Sequence, residues 1–166
     1  MILTLLYVQL STGNENRGSQ SDMSYAQFWR INAVVILVLV TIVSLTPDPE
    51  KIGKVMDWSA WIAALVLGDP MSGDKVSHFM AYGALGFFST LGFTTAKRQA
   101  GLVFLALLGY GLLMEVCQGM FTSTRTSDAL DFLANNLGAL SGILGALVVR
   151  ALVQHYGIHI RTPVIR

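Results

Sequence analysis

The sequence predicts an all-α fold: a four-transmembrane-helix bundle with a short interfacial helix between the first and second spans and both termini in the cytoplasm. Two observations carry this expectation. The 166 residues are 53% hydrophobic and only 13% charged, whereas a soluble globular chain is about a quarter charged. Too few charges remain to clothe a surface in water, and the mean hydropathy of +0.57 agrees. Four apolar segments of similar length follow one another between short polar turns. Each is close to the roughly 20 residues that a helix needs to cross a bilayer.

The chain length suits one domain, placed over residues 28–153, with a leader at 1–27 and a cytoplasmic tail at 154–166. The leader opens with an apolar stretch, residues 1–10, too short to span and without the basic flank and small-residue cleavage pattern of a signal peptide. The first span is 28–46, with the run Ala33-Val34-Val35-Ile36-Leu37-Val38-Leu39-Val40, and it stops at Pro47-Asp48-Pro49. Such β-branched runs also suit buried strands, but four of them at spanning length favour membrane helices. Residues 48–73 include Trp58 and Trp61 beside a short apolar stretch. Indole rings favour the headgroup level, so this segment reads as a helix lying in the interface. The remaining spans are 76–95, 101–121 and 129–153.

Lysine and arginine set the orientation. With the amino terminus inside, Arg17, Arg30, Lys97, Arg98, Arg150, Arg161 and Arg166 fall on the cytoplasmic side. Lys51, Lys54, Lys75 and Arg125 fall outside. This describes a multi-pass protein of the bacterial plasma membrane whose first partner is lipid. The net charge of +1 excludes a nucleic-acid binder, which needs a basic stripe to neutralise phosphates.

Placed this way, three groups of polar residues meet at the outer end. Asp74, His78 and Tyr82 recur every four residues on one face of the second span, with Lys75 beside them. Glu115 and Gln118 lie near the outer end of the third, on a face shared with Gly111 and Gly119. Arg125, Asp128, Asp131 and Asn135 run from the last loop into the fourth. Each group also has a structural explanation. Asp74 can cap its helix, Asp128 and Asp131 suit the positive end of a helix dipole with Ser127 as the cap, and His78 alone resembles a packing histidine. Glu115 is harder to explain in this way. An acid roughly 9 Å inside a span is costly in lipid and normally faces the bundle interior. Gly138, Gly142 and Gly145, with Ser141 and Ala146, form a small-residue stripe for helix packing. The preferred reading is internal packing, and a homodimer is not supported.

The lone Cys117 reads as apolar packing. His155 and His159 have no third ligand near them in sequence. There is no phosphate-binding lysine loop, Cys-x-x-Cys pair or nucleophile elbow.

These residues resemble the VanZ-like family of small bacterial membrane proteins. The resemblance rests on Asp74-Lys75-x-x-His78-x-x-x-Tyr82, Glu115-x-x-Gln118, and Arg125-x-x-Asp128-x-x-Asp131-x-x-x-Asn135-x-x-Gly138-x-x-x-Gly142. It covers residues 31–150, including Ser44-Leu45-Thr46-Pro47. It implies a cell-envelope protein without an assigned reaction. The family's namesake is associated with resistance to the glycopeptide teicoplanin.

Two functions fit. In the first, an outward-facing pocket binds, and in its enzymatic form processes, an anionic lipid-linked or envelope-derived precursor. Lys75 and Arg125 hold the anion, and His78, Glu115 and Asp74 form an acid–base cluster. Tyr82, Gln118, Asp128, Asp131 and Asn135 complete the lining. No cofactor is predicted, although the outer-face carboxylates with His78 also suit a hard divalent cation. In the second, the charges form a network that organises the helices of a non-enzymatic scaffold or partner-binding protein. A transporter fits less well, because the inner halves of the spans are almost purely apolar.

Overall fold

The computed structural model describes residues 25–46, 55–121 and 128–156. Residues 1–24 of the leader, residues 47–54 with Pro47, Lys51 and Lys54, Arg125, Ser127 and the tail beyond Tyr156 lie outside the described residues, while residues 25–27 of the leader open the first helix. Among the described residues five α-helices follow one another: α1 (Tyr25–Leu45), α2 (Val55–Leu67), α3 (Gly73–Phe93), α4 (Lys97–Phe121) and α5 (Ala129–His155). The described residues contain no strand. The all-α expectation therefore holds, with boundaries shifted by a few residues. The short helix expected after the first span is α2.

Three of these helices are long and apolar enough to cross a membrane: Ala26–Leu45 of α1, α4 and α5. At 13 residues, α2 reaches about 20 Å, less than the roughly 30 Å hydrocarbon core. At 21 residues α3 matches α1 in length, but it carries Asp74, Lys75, Ser77 and His78 in its first two turns and is less apolar. Its packing offers a reason. α3 contacts α1, α2, α4 and α5, so much of its surface meets protein instead of solvent or lipid.

The outward face of α1 shows the opposite pattern. Val35, Leu39 and Ile42 are at least half exposed, while Ala33, Val40 and Ser44 form its narrow buried seam. In water such a surface would be strongly unfavourable, at roughly 25 cal/mol per Å² of apolar area; in lipid it is matched. Pro47 follows directly on Thr46, and the residue before a proline is disfavoured in the helical region, which ends α1. α2 ends at Gly68, whose φ of +73° suits glycine. Asp69 then accepts hydrogen bonds from the Met71 N–H and the Ser72 hydroxyl, at 3.0 and 2.8 Å, and closes the single 3₁₀ turn leading into α3. At the start of α4, Gln99 Oε1 accepts from the backbone N–H groups of Thr95 and Ala96, satisfying donors that a helix start leaves free.

Cross-helix contacts fix the directions. Arg30 Nε donates to the Gly92 carbonyl at 2.8 Å, joining the start of α1 to the end of α3. Gln118 Nε2 donates to the Ser44 carbonyl at 3.2 Å, joining the ends of α4 and α1. Arg150 donates to Thr90 O, Thr94 O and Thr94 Oγ1 at 2.6 to 2.7 Å, joining the ends of α5 and α3. α3 and α5 therefore run parallel, and α1 and α4 run against them.

The tightest seam is between α3 and α5. Cβ atoms added at Gly138 and Gly142 would collide with the carbonyl oxygens of Phe79 and Gly83, and one at Gly86 would lie 2.5 Å from the Ala139 carbonyl. The glycine stripe thus serves packing within the bundle, as its preferred reading held. Ser141 points away from it and is exposed.

Candidate functional site

Lys75 is the hub of the polar end. Its Nζ lies 3.0 Å from Asp74 Oδ2, 3.1 Å from Asp128 Oδ2 and 3.2 Å from Asp131 Oδ1. Helix geometry brings these groups together. The start of α3 meets the start of the parallel helix α5, where Asp128 is the N-cap and Asp131 lies in the first turn. The cap observed on α3 is Ser72, whose side chain makes no capping bond; Asp74 sits one residue inside and accepts the Lys75 N–H at 2.8 Å. Asp128 divides its oxygens between two roles, with Oδ1 accepting the Leu130 N–H at 2.8 Å and Oδ2 facing Lys75. The Leu130 N–H, then the Lys75 ammonium, hold its carboxyl below the usual aspartate value.

His78 lies one turn deeper. Its Nδ1 is 3.0 Å from Asn135 Oδ1, and its Nε2 is 3.7 Å from Asp131 Oδ2. Both ring nitrogens face oxygen acceptors from α5, which sets the plane of the imidazole. The partners that orient it are thus Asp131 and Asn135. The i, i+4 spacing put Asp74 on the same face, but Asp74 turns to Lys75.

Glu115 is 3% exposed. Its Oε2 accepts the Asp128 N–H at 3.1 Å, and its Oε1 has no hydrogen-bond partner among the described residues. Among the described residues no cation pairs with it. Tyr82 and Asn135 are each 1% exposed, and the Tyr82 hydroxyl and Asn135 Nδ2 are likewise without partners. The Tyr82 ring and the Asn135 amide meet beside Gly111: a methyl added there would lie 3.5 Å from Tyr82 Cε1 and 3.7 Å from Asn135 Nδ2. Glu115 follows one turn along the same face of α4. Gln118 is buried, and its Nε2 donates to the Ser44 carbonyl of α1.

The structure thus brings together Asp74, Lys75, His78, Asp128, Asp131 and Asn135 directly, with Glu115 joined through the Asp128 backbone. Tyr82 lies beside Asn135 at Gly111, and Gln118 Nε2 bonds the Ser44 carbonyl of α1. Arg125 lies outside the described residues. The carboxylates of Asp74, Asp128 and Asp131 close on Lys75, and among the described residues no group of three or more His, Cys, Asp or Glu is placed to hold a metal ion. Gly119, expected beside Gly111, is exposed.

Sequence reasoning missed two contributions. The Ser44 carbonyl, at the end of α1, accepts from Gln118 Nε2. Arg30 and Arg150, inside the first and fourth spans but used only to set the orientation, satisfy carbonyls at the end of α3. The signal for the second was available, since an arginine inside an apolar helix needs acceptors.

A protein-family model described as VanZ/LLP1 matches residues 1–150 of this chain, including the leader that the motif resemblance left out. No curated protein and no solved structure matches.

Proposed function

The chain belongs to the VanZ/LLP1 family, and on that footing we propose that it is a multi-pass protein of the bacterial plasma membrane whose outward-facing polar cluster binds the headgroup of a lipid-linked or envelope-derived substrate. In this reading α1, α3, α4 and α5 all cross the bilayer, α2 lies at the outer interface and both termini are cytoplasmic. Charge segregation supports it. Arg30, Lys97, Arg98 and Arg150 gather at one end of the bundle, while Asp69, Asp74, Glu115, Asp128 and Asp131 gather at the other. The cytoplasmic side of a membrane protein carries the excess of Lys and Arg. A less apolar α3 fits as a span because the other helices surround it.

One observation supports the binding reading: three polar side-chain atoms, from Tyr82 on α3, Glu115 on α4 and Asn135 on α5, are buried without partners among the described residues. Each such atom costs about 1–3 kcal/mol when unanswered, and a ligand that answers them recovers that cost. An anionic moiety on the substrate would fall to Arg125, since Lys75 is already engaged by three carboxylates. His78, held between Asp131 and Asn135, is the acid–base group for any processing step. The scaffold reading is favoured by the same Lys75 network, which ties α3 to α5 without any ligand.

Lipid and envelope-precursor profiling of a deletion strain tests the proposal. Complementation with wild type should restore the profile, whereas Glu115→Gln should fail to do so while remaining folded. Restoration by folded Glu115→Gln would instead favour the scaffold, and teicoplanin susceptibility of the same strains tests the link carried by the family's namesake. Topology is tested in a Cys117→Ala background. Cysteine at exposed Asp69 should react with an impermeant maleimide from outside, and cysteine at Lys97 only after permeabilisation. The reverse pattern would overturn the orientation.

A further inference from the structure

We propose that a groove between α1, α3 and α4 holds an acyl chain of an anionic phospholipid, whose phosphate is taken by Arg30, Lys97 and Arg98. The groove lies at the opposite end of the bundle from the Lys75 network. It is a second site, separate from the substrate proposed there.

Uneven packing opens the groove. α3 packs chiefly on α5, and α4 meets α1 and α3 less than it meets α5. An open-sided space of about 460 Å³ remains, bounded by Leu37 of α1, Phe93 and Thr94 of α3, and Gln99, Ala106 and Tyr110 of α4. The polar groups in this lining are already engaged. Thr94 Oγ1 donates to the Thr90 carbonyl and accepts from Arg150. Gln99 Oε1 accepts the N–H groups of Thr95 and Ala96, and the Tyr110 hydroxyl bonds Thr41 Oγ1 at 2.8 Å. An occupant therefore meets mostly hydrocarbon and gains most by being apolar itself.

The length fits one leaflet. Between Gln99 and Tyr110 the groove follows 11 residues of α4, roughly 16 Å at 1.5 Å per residue. That is about half of the roughly 30 Å hydrocarbon core. At its inner end Tyr110 ties α4 to Thr41 and to the Leu37 carbonyl of α1.

The charge at the other end selects the headgroup. The Arg30 guanidinium sits 5.6 Å over the ring of Phe93, which lines the groove. Its Nε is fixed on the Gly92 carbonyl, and its two Nη groups have no acceptor among the described residues. Lys97 and Arg98 open α4 just before Gln99, and both are exposed. No Asp or Glu occurs in α1, between Lys75 and Met114, or after Asp131, so the helices that reach this end bring no acid to it. A phosphate answers these cations, with the arginine fork suited to two of its oxygens. An anionic phospholipid supplies chain and phosphate together. The leader enters α1 at the same end and carries an apolar stretch at residues 1–10, which makes it the rival occupant. Lipid is favoured because the open side of the groove, with Leu102 62% exposed on its rim, belongs to the apolar surface of a candidate span.

The test is native mass spectrometry of the purified full chain with phosphatidylglycerol and phosphatidylcholine of the same acyl chains. Thermal unfolding verifies that each variant is folded. The wild type should retain phosphatidylglycerol in preference. Ala106→Phe fills the groove from an exposed position and should weaken both lipids about tenfold or more. Lys97→Gln combined with Arg98→Gln should weaken phosphatidylglycerol by a similar factor and leave phosphatidylcholine unchanged, since each basic side chain near an anionic headgroup contributes on that scale. Equal retention of the two lipids by the wild type would overturn the proposal, as would a preference indifferent to Ala106→Phe. Photoreactive p-benzoylphenylalanine in place of Ala106, irradiated in membranes, should give a phospholipid adduct. An adduct to a peptide from residues 1–24 would instead assign the groove to the leader and overturn the lipid. None of these readouts involves the Lys75 cluster, so the two proposals fail separately.

Discussion

The Glu115 carboxylate accepts the backbone N–H of Asp128 at 3.1 Å, so a buried acid on α4 anchors the residue that caps α5. The bond gives a buried acid on this apolar helix one of its partners. It also makes Glu115 structural and chemical at once, and the two roles separate by substitution. Glu115→Gln keeps an acceptor for the Asp128 N–H and should retain folding. Glu115→Leu orphans that N–H and should lose about 1–3 kcal/mol. Thermal unfolding in detergent, followed by tryptophan fluorescence, distinguishes them; equal losses would show that the negative charge, not the acceptor, matters.

Lys75 answers three carboxylates, so its removal should have a larger effect than removal of any one of them. Lys75→Met leaves Asp74, Asp128 and Asp131 facing one another, with Asp131 only 13% exposed in its side chain. Loss of one partner of a fully buried pair costs about 3–5 kcal/mol, and part exposure here reduces this to about 2. Asp74→Asn should cost less, because that side chain is 40% exposed and two carboxylates still hold the ammonium. The ordering of the two unfolding midpoints is the measurement, and a larger loss in Asp74→Asn would contradict the hub arrangement.

Asp128 gives the acid limb of stability. Its folded value lies below the ordinary aspartate value of about 3.9, through the Leu130 N–H and then Lys75. The unfolded chain therefore takes up a proton at a higher pH than the folded one. The stabilisation is complete above the unfolded value and is lost as pH falls through the folded one. Unfolding midpoints should be level from pH 7 to about 5 and should fall below about 4. Asp128→Asn should flatten part of that fall. An unchanged acid limb in Asp128→Asn would assign it to other carboxylates.

Periodicity made much of this legible and stopped at a definite point. The i, i+4 spacing of Asp74, His78 and Tyr82, and the i, i+3, i+7 spacing of Asp128, Asp131 and Asn135, correctly named faces that meet. Spacing along one helix does not say which helix comes alongside. Asp74 and His78 therefore share a face but take different partners, Lys75 and the Asp131–Asn135 pair. Gln118 reaches a backbone carbonyl, which has no residue-type signature. α3 lacks the apolar excess that marks α1, α4 and α5 as candidate spans. It packs against four other helices, and its glycines record that contact.

The α3–α5 seam is where those glycines act, and it yields a contrast between substitutions of the same kind. Gly142→Ala directs a methyl onto the Gly83 carbonyl, and Gly138→Ala onto that of Phe79. Both obstacles are backbone, so neither can swing aside, and overpacking of this kind costs about 1–3 kcal/mol or more. Because the same seam aligns Lys75 with Asp128 and Asp131, separating the helices should loosen the ion-pair network as well. Gly109→Ala on α4 has nothing within 4 Å of the new methyl. It should be neutral or stabilising by up to about 1 kcal/mol, through helix propensity alone. Folded yield and unfolding midpoint measured for all three variants decide the matter. Tolerance of alanine at both Gly138 and Gly142 would mean that α3 and α5 do not approach as closely as this arrangement requires.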